Sequence, residues 1–179
     1  MNEMSMLAQR AVLPTVLALL AVTVYTDCRW RLIPNALTLP AMAVGVMLQV
    51  ASQGWPGLAW GLWGLALGFG LMMIPFTFGQ MGGGDVKLLA ALGSLLGGYA
   101  ILNVFLYTTL AGGVLALGYA ARRKEGFHTL RRAGQLATGL LRLRRDGHAA
   151  NDSALALTIP YGVAIAAGTL LYLALGNVV

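Results

Sequence analysis

The chain has 179 residues, of which 58% are hydrophobic and only 10% are charged, and its mean hydropathy is +0.75. This composition indicates a membrane protein and argues against a water-soluble globular domain. The net charge is +6, but the basic residues flank apolar segments instead of mixing with aromatic residues, so it fits orientation in a bilayer better than nucleic-acid binding.

Apolar segments of bilayer length recur along the chain, and one of them, residues 86–121, is too long for a single crossing. As one helix its 36 residues would extend about 54 Å, whereas a hydrocarbon core is about 30 Å thick. We expect a break at Gly97-Gly98 that leaves a short fourth helix. The sequence therefore predicts an all-α membrane protein, one polytopic domain of residues 1–179, with six transmembrane helices at about 11–26, 36–51, 57–78, 86–96, 99–121 and 154–175.

The first span ends at Asp27, in the stretch YTDCRWRLIPN. A carboxylate at a helix C-terminus opposes the helix dipole, although Arg29 and Arg31 could neutralise it. Pro34 would suit the first turn of the second span, and Asn35 could hydrogen-bond a carboxylate or a substrate; a simple turn accounts for both equally well. The single cysteine, Cys28, excludes an internal disulfide and a CxxC zinc site.

Glycines mark the third span and the segment after it. Those of the third span fall on one face, which lets helix backbones approach closely: Gly57, Gly61, Gly64 and Gly68. Three more, Gly82, Gly83 and Gly84, precede Asp85 directly. Asp85 could be only the N-cap of the next helix, with the glycines forming a turn. Alternatively, their lack of side chains would let a substrate backbone approach Asp85.

Lys87 follows Asp85 by two positions, and three roles are open to it. It could bias the carboxylates electrostatically, bind an acidic substrate residue, or extend toward lipid phosphate, and the last of these is favoured for a lysine near a helix end. In the last span Pro160 removes one helix hydrogen bond, so it could shape a substrate groove or simply adjust packing.

The segment of residues 122–153 is the only sizeable extramembrane loop that the sequence predicts. Its apolar residues recur at helical spacing beside arginines, as in an interfacial amphipathic helix that binds anionic lipid. A solvated basic loop that only fixes orientation is the equal alternative. With six spans and both termini outside, only Arg10 of the twelve Lys and Arg residues lies outside, which is a strong positive-inside pattern.

Asp27 and Asp85 share one depth in this topology, at the cytoplasmic edge. Two carboxyls within a few ångströms do not ionise together readily, so one pKa rises and they share a proton. Such a pair can activate a water for attack on an amide while protonating the developing oxyanion. The sequence thus predicts an aspartic endopeptidase that needs no metal or other cofactor.

Three motifs carry a family resemblance: Asp27 with the Arg31–Asn35 stretch RLIPN, the Gly82–Lys87 stretch GGGDVK, and the Ile159–Gly162 stretch IPYG. In order, spacing and span layout the chain resembles the type IV prepilin peptidase family, membrane aspartic proteases of the GxGD kind. The resemblance implies that Asp27 and Asp85 are the catalytic pair. It also implies a membrane-inserted prepilin or pseudopilin as substrate, cut at the cytoplasmic face of a bacterial inner membrane.

Long family members also carry an N-terminal cytoplasmic insertion with paired cysteines and methylate the new N-terminus. Here the first predicted span begins near residue 11 and Cys28 stands alone. We therefore expect peptidase activity without methyl transfer, as in the peptidases of tight-adherence (Flp-type, Tad) pilus systems. Two other classes of function remain open: a small proton-coupled transporter that uses the same carboxylates, and a non-enzymatic scaffold of a pilus or secretion platform. The sequence does not predict an oligomeric state.

Overall fold

The computed structural model describes residues 3–77, 81–122 and 161–176, and all regular structure in these ranges is helical. The helices are α1 (Glu3–Trp30), α2 (Asn35–Gln53), α3 (Trp55–Thr77), α4 (Gly83–Leu96), α5 (Gly98–Arg122) and α6 (Tyr161–Leu175). The predicted all-α class is confirmed. The predicted amphipathic segment lies outside the described residues, and so does Pro160.

Within the described residues, four helices are long and apolar enough to cross a membrane: α1, α2, α3 and the Gly98–Leu115 part of α5. α6 is apolar but shorter, with 15 residues, and α4 has only 14. The long helices expose large apolar side chains, as expected where lipid replaces water as the solvent. The chain is a multi-pass membrane protein, whereas the count of six crossings stays a prediction.

The chain divides into two compact units, and the helix bundle described below belongs to the first, residues 1–111 and 160–179. The second unit comprises residues 112–159, of which only the last turns of α5 are described.

The predicted break within residues 86–121 is confirmed at Gly97. α4 ends at Leu96 and α5 begins at Gly98, while Gly97 has a φ of +87° and donates its N–H to the Gly93 oxygen at 2.8 Å. This positive φ, with a ψ of 174°, is a backbone conformation that is essentially restricted to glycine. The break leaves α4 about 21 Å long at 1.5 Å per residue, which is less than the thickness of a hydrocarbon core.

α4 is the central helix of the first unit and contacts α1, α2, α3 and α6. Almost every residue from Asp85 to Leu95 is buried, and its four core leucines are fully enclosed: Leu88, Leu89, Leu92 and Leu95. A helix that is apolar on all sides is stable only when neighbouring helices surround it. Asp85, in the first turn of this helix, is consequently fixed relative to most of the bundle.

The glycine face of α3 packs directly against α4, as the spacing predicts. A methyl group on Gly64 would collide with the backbone of Gly93, and one on Gly68 would come within 2.5 Å of the Leu89 oxygen. A methyl group on Gly57 would likewise collide with the backbone of Gln49 in α2, whereas one on Gly61 would make ordinary contact with α2 at 3.4 Å. These contacts confirm that the small residues serve close backbone approach.

Two helices, α1 and α4, differ from their predicted bounds by three residues or more. α1 begins at Glu3 and continues to Trp30, beyond the predicted 11–26, because its polar ends are compatible with a helix although they lower the hydropathy. α4 begins at Gly83 rather than near residue 86.

Candidate active site

The two predicted catalytic acids lie at the same end of the bundle. Asp27 is in the last turn of α1 and Asp85 is in the first turn of α4. Both side chains are buried, with exposed fractions of 7% and 8%. Their carboxyl groups are close enough to interact electrostatically. The packing of α1 and α6 against α4 therefore brings together two acids that are 58 positions apart, 85 minus 27.

Asp27 is anchored by the last described helix. Its Oδ2 accepts a hydrogen bond from the backbone N–H of Gly162 at 2.8 Å, across 135 positions of sequence. Arg31 supplies a positive charge that interacts with the same carboxylate. Arg31 also donates its N–H to the Asp27 carbonyl oxygen at 2.9 Å, and its φ is +52°. Asp27 thus has a donor and a cation beside it.

Asp85 is held locally. Its Oδ2 accepts the N–H of Gly82 at 3.2 Å, and its own N–H donates to the Gly82 oxygen at 3.1 Å. Gly82 is the N-cap and Asp85 is the third residue of the helix, in a capping-box arrangement. The prediction that Asp85 is itself the N-cap is therefore wrong, because Gly83 and Gly84 belong to the helix instead of a preceding turn.

The glycines before Asp85 allow close packing within the protein. A methyl group on Gly84 would lie 2.9 Å from Cβ of Ile33, in the connection between α1 and α2, and one on Gly83 would contact the Phe76 ring at 3.6 Å. Ile33 is buried at 7% exposure. A side chain at Gly84 would push the α1–α2 connection away from α4. Asp27 and Asp85 would then lie farther apart.

Three of the predicted supporting residues lie at the starts of α2 and α4: Lys87, Asn35 and Pro34. Lys87 Nζ donates to Asn35 Oδ1 at 2.8 Å, so these two side chains bind each other across the exposed edge of α2 and α4. The ammonium group of Lys87 therefore has a protein partner in addition to any lipid. Pro34 is the N-cap of α2 rather than a residue of its first turn, with φ −67° and ψ 140°.

Two residues that lie at this site, Gly162 and Tyr161, have no role predicted from the sequence, whereas Arg31 lies beside Asp27 as the predicted neutralising charge. Tyr161 is half-buried and close enough to Asp85 for their charges to interact. The signal in the sequence is the string IPYG, of which Pro160 is the predicted site residue. Gly162 has no side chain that would indicate a role, because it contacts Asp27 only through its backbone N–H.

Comparisons with known proteins identify the family of the chain. The model of the type IV leader peptidase family matches residues 15–117, which contain both acids. A prepilin leader peptidase/N-methyltransferase of Bacillus subtilis is 28% identical over 160 residues, covering 87% of this chain and 52% of the relative. A protein of that name from Xanthomonas campestris is 38% identical over 96 residues, covering 50% of this chain and 33% of its own length. One from Dickeya chrysanthemi is 36% identical over 93 residues, covering 48% of this chain and 32% of its own length.

The chain thus spans about half the length of the first of these relatives and about a third of the other two. No solved structure matches it.

Proposed function

Because the chain belongs to the type IV leader peptidase family, we propose that it is a membrane aspartic endopeptidase that removes leader peptides from prepilins or pseudopilins. The observation that carries this proposal is the pair of buried carboxyl groups, Asp27 and Asp85, at one end of the bundle. Buried acids in a membrane protein are costly, so two at the same end of the bundle that interact electrostatically indicate a functional site. The proposal concerns peptide cleavage alone.

The chemistry follows from the two carboxyls holding one proton between them. The ionised carboxylate accepts a proton from a water molecule as that water attacks the scissile carbonyl, and the protonated carboxyl donates to the developing oxyanion. The amide C–N bond then breaks as the leaving nitrogen takes up a proton. General acid and base contributions of this kind are each about 10² to 10⁴ in rate.

We further propose that the site faces the cytoplasm of a bacterial inner membrane and that Flp-type prepilins are the substrates. The positive-inside distribution of Lys and Arg supports this orientation. The membrane-inserted substrate would bring its cleavage site to the end of the bundle where the acids lie, and residues 122–153 would bind anionic lipid.

The proposal is tested by reconstituting the purified protein with a panel of prepilins and sequencing the new N-termini. Asp27→Asn and Asp85→Asn should each lower the cleavage rate at least about 100-fold, because each removes one proton-transfer group. Glu3→Gln is the matched control, since it neutralises an exposed acid at the opposite end of α1 and should cleave normally. Either aspartate variant cleaving at the wild-type rate would overturn the assignment.

A further inference from the structure

The two acids of the site are held in unequal ways. Asp85 accepts an N–H from Gly82, three residues away, at 3.2 Å. Asp27 accepts the N–H of Gly162, from a different helix, at the shorter distance of 2.8 Å. Gly162 is the second residue of α6, and the first four N–H groups of a helix have no acceptor within it. The donor is therefore free to bind a carboxylate, and the partial positive charge of the helix end strengthens the bond.

The absence of a side chain at Gly162 is what permits this contact. A methyl group there would lie 2.6 Å from Oδ2 and 3.2 Å from Cγ of Asp27. Both distances are shorter than van der Waals contact, so any other residue would move α6 away from α1 or rotate the carboxyl. Gly162 is itself buried.

The charged and titratable groups near the pair favour the same asymmetry. Asp27 interacts with the positive charge of Arg31 from the α1–α2 connection, whereas Asp85 lies near Tyr161 of α6. The repulsion between the two carboxylates is mutual and favours neither. The cation nearest to Asp85 in sequence, Lys87, is hydrogen-bonded to Asn35 instead. Negative charge is thus better stabilised on Asp27 than on Asp85.

We propose that Gly162 is a positioning residue that holds Asp27 as the ionised base of the pair, so that the shared proton resides on Asp85 as the acid. This assignment rests on the proposed peptidase function and states which acid is the general base and which is the general acid. Asp27 takes the proton from the attacking water, and Asp85 delivers its proton to the oxyanion.

The pH profile of cleavage distinguishes this assignment from its reverse. Only the singly protonated pair is active, so the rate falls at low pH, where both acids are protonated, and at high pH, where both are ionised. If the Gly162 N–H stabilises the ionised Asp27, losing that bond makes the first ionisation harder and leaves the second unchanged. The acid limb then moves to higher pH while the alkaline limb stays in place. With the roles reversed, the alkaline limb would move instead.

The variant for this test is Gly162→Ala. We expect the acid limb of its pH profile to move up by about one pH unit, because losing a hydrogen bond to a charged group changes a pKa by roughly that amount. We also expect kcat to fall more than KM changes. Gly168→Ala is the matched control, because a methyl group there also collides with a neighbour, at Thr108, but well along α6 from Asp27. It should lower stability without moving either limb. A folded Gly162→Ala protein with the wild-type profile, or with a shifted alkaline limb, would overturn the proposal.

A measurement on the wild-type protein covers the case in which Gly162→Ala does not fold. Tyr161-Gly162 is the only Tyr-Gly pair in the sequence. Labelling with ¹³C-carbonyl tyrosine and ¹⁵N-glycine therefore isolates the Gly162 amide resonance. That resonance should shift across the first ionisation of the pair; no shift, or a shift only across the second, would contradict the proposal. Since this readout needs no substrate, failure of the peptidase assay and failure of the Gly162 assignment are distinguishable.

Discussion

At the scale of single residues, Arg31 is in an unusual backbone conformation directly beside the site. It follows the last residue of α1 with a φ of +52° and donates its N–H back to Asp27, as in a helix that ends with a left-handed residue. Glycine is the usual residue at such a position, because any other residue pays about 1–2 kcal/mol in this region. A strained residue with its charge near Asp27 indicates a functional constraint on that charge.

We therefore expect Arg31→Gly to separate stability from activity. It should raise the free energy of unfolding by up to about 1 kcal/mol, since glycine adopts this φ without strain, and it should lower the cleavage rate, since the positive charge near Asp27 is lost. Thermal unfolding in detergent and cleavage assays measure the two effects. Arg31→Lys is the control, because it retains both the charge and the strain. An Arg31→Gly protein that cleaves like the wild type would contradict this interpretation.

The acids themselves could be predicted from the sequence, but the backbone donor that anchors Asp27 could not. Asp27 and Asp85 are conspicuous because acids are rare in this chain and both border apolar segments. The donor to Asp27 is a backbone group, and it lies 135 positions away in α6. Such a contact depends on how the helices pack, which no local sequence pattern encodes.

At the scale of helices, the fit between α3 and α4 depends on two facing glycines. Gly64 and Gly93 meet backbone to backbone, so neither position has room for a methyl group. Gly64→Ala should lower the free energy of unfolding by about 1–3 kcal/mol, the usual cost of overpacking. Gly70→Ala in the same helix is the matched control: it is exposed, has nothing within 4 Å, and should be neutral or slightly stabilising. Equal destabilisation by Gly64→Ala and Gly70→Ala would contradict the proposed importance of the Gly64–Gly93 contact.

The boundaries of α4 show which features of a helix the sequence reveals. Its end at Gly97 could be predicted because residues 86–121 are too long for one crossing and contain a glycine pair. Its start at Gly83 could not, since two glycines are poor helix formers. The contacts of Gly84 with Ile33 and the capping bonds between Gly82 and Asp85 outweigh that preference.

At the scale of the whole molecule, orientation in the membrane remains a prediction from the basic residues. The two ends of the bundle carry exposed tryptophans, Trp30 near the acids and Trp55 at the opposite end, as in the aromatic belts of membrane proteins. These belts mark two interfaces without distinguishing inside from outside. The distribution of Lys and Arg predicts that the acids lie at the inner interface.

Cys28 provides a direct test of that orientation, because it is the single cysteine, is exposed and adjoins Asp27. A membrane-impermeant maleimide should label it in inverted inner-membrane vesicles and not in intact spheroplasts. In a Cys28→Ser background, Gln53→Cys at the far end of α2 should give the opposite pattern. Labelling of Cys28 from the outside would reverse the proposed topology and exclude a cytoplasmic active site.

The central claim is that Asp27 and Asp85 act as one unit on one water molecule. The most direct measurement compares residual prepilin cleavage by Asp27→Asn, Asp85→Asn and the double variant in the same liposomes. Groups that work as a unit are strongly non-additive, so the double variant should be no slower than either single variant. Losses that multiply in the double variant, or a single variant that retains wild-type cleavage, would contradict the account.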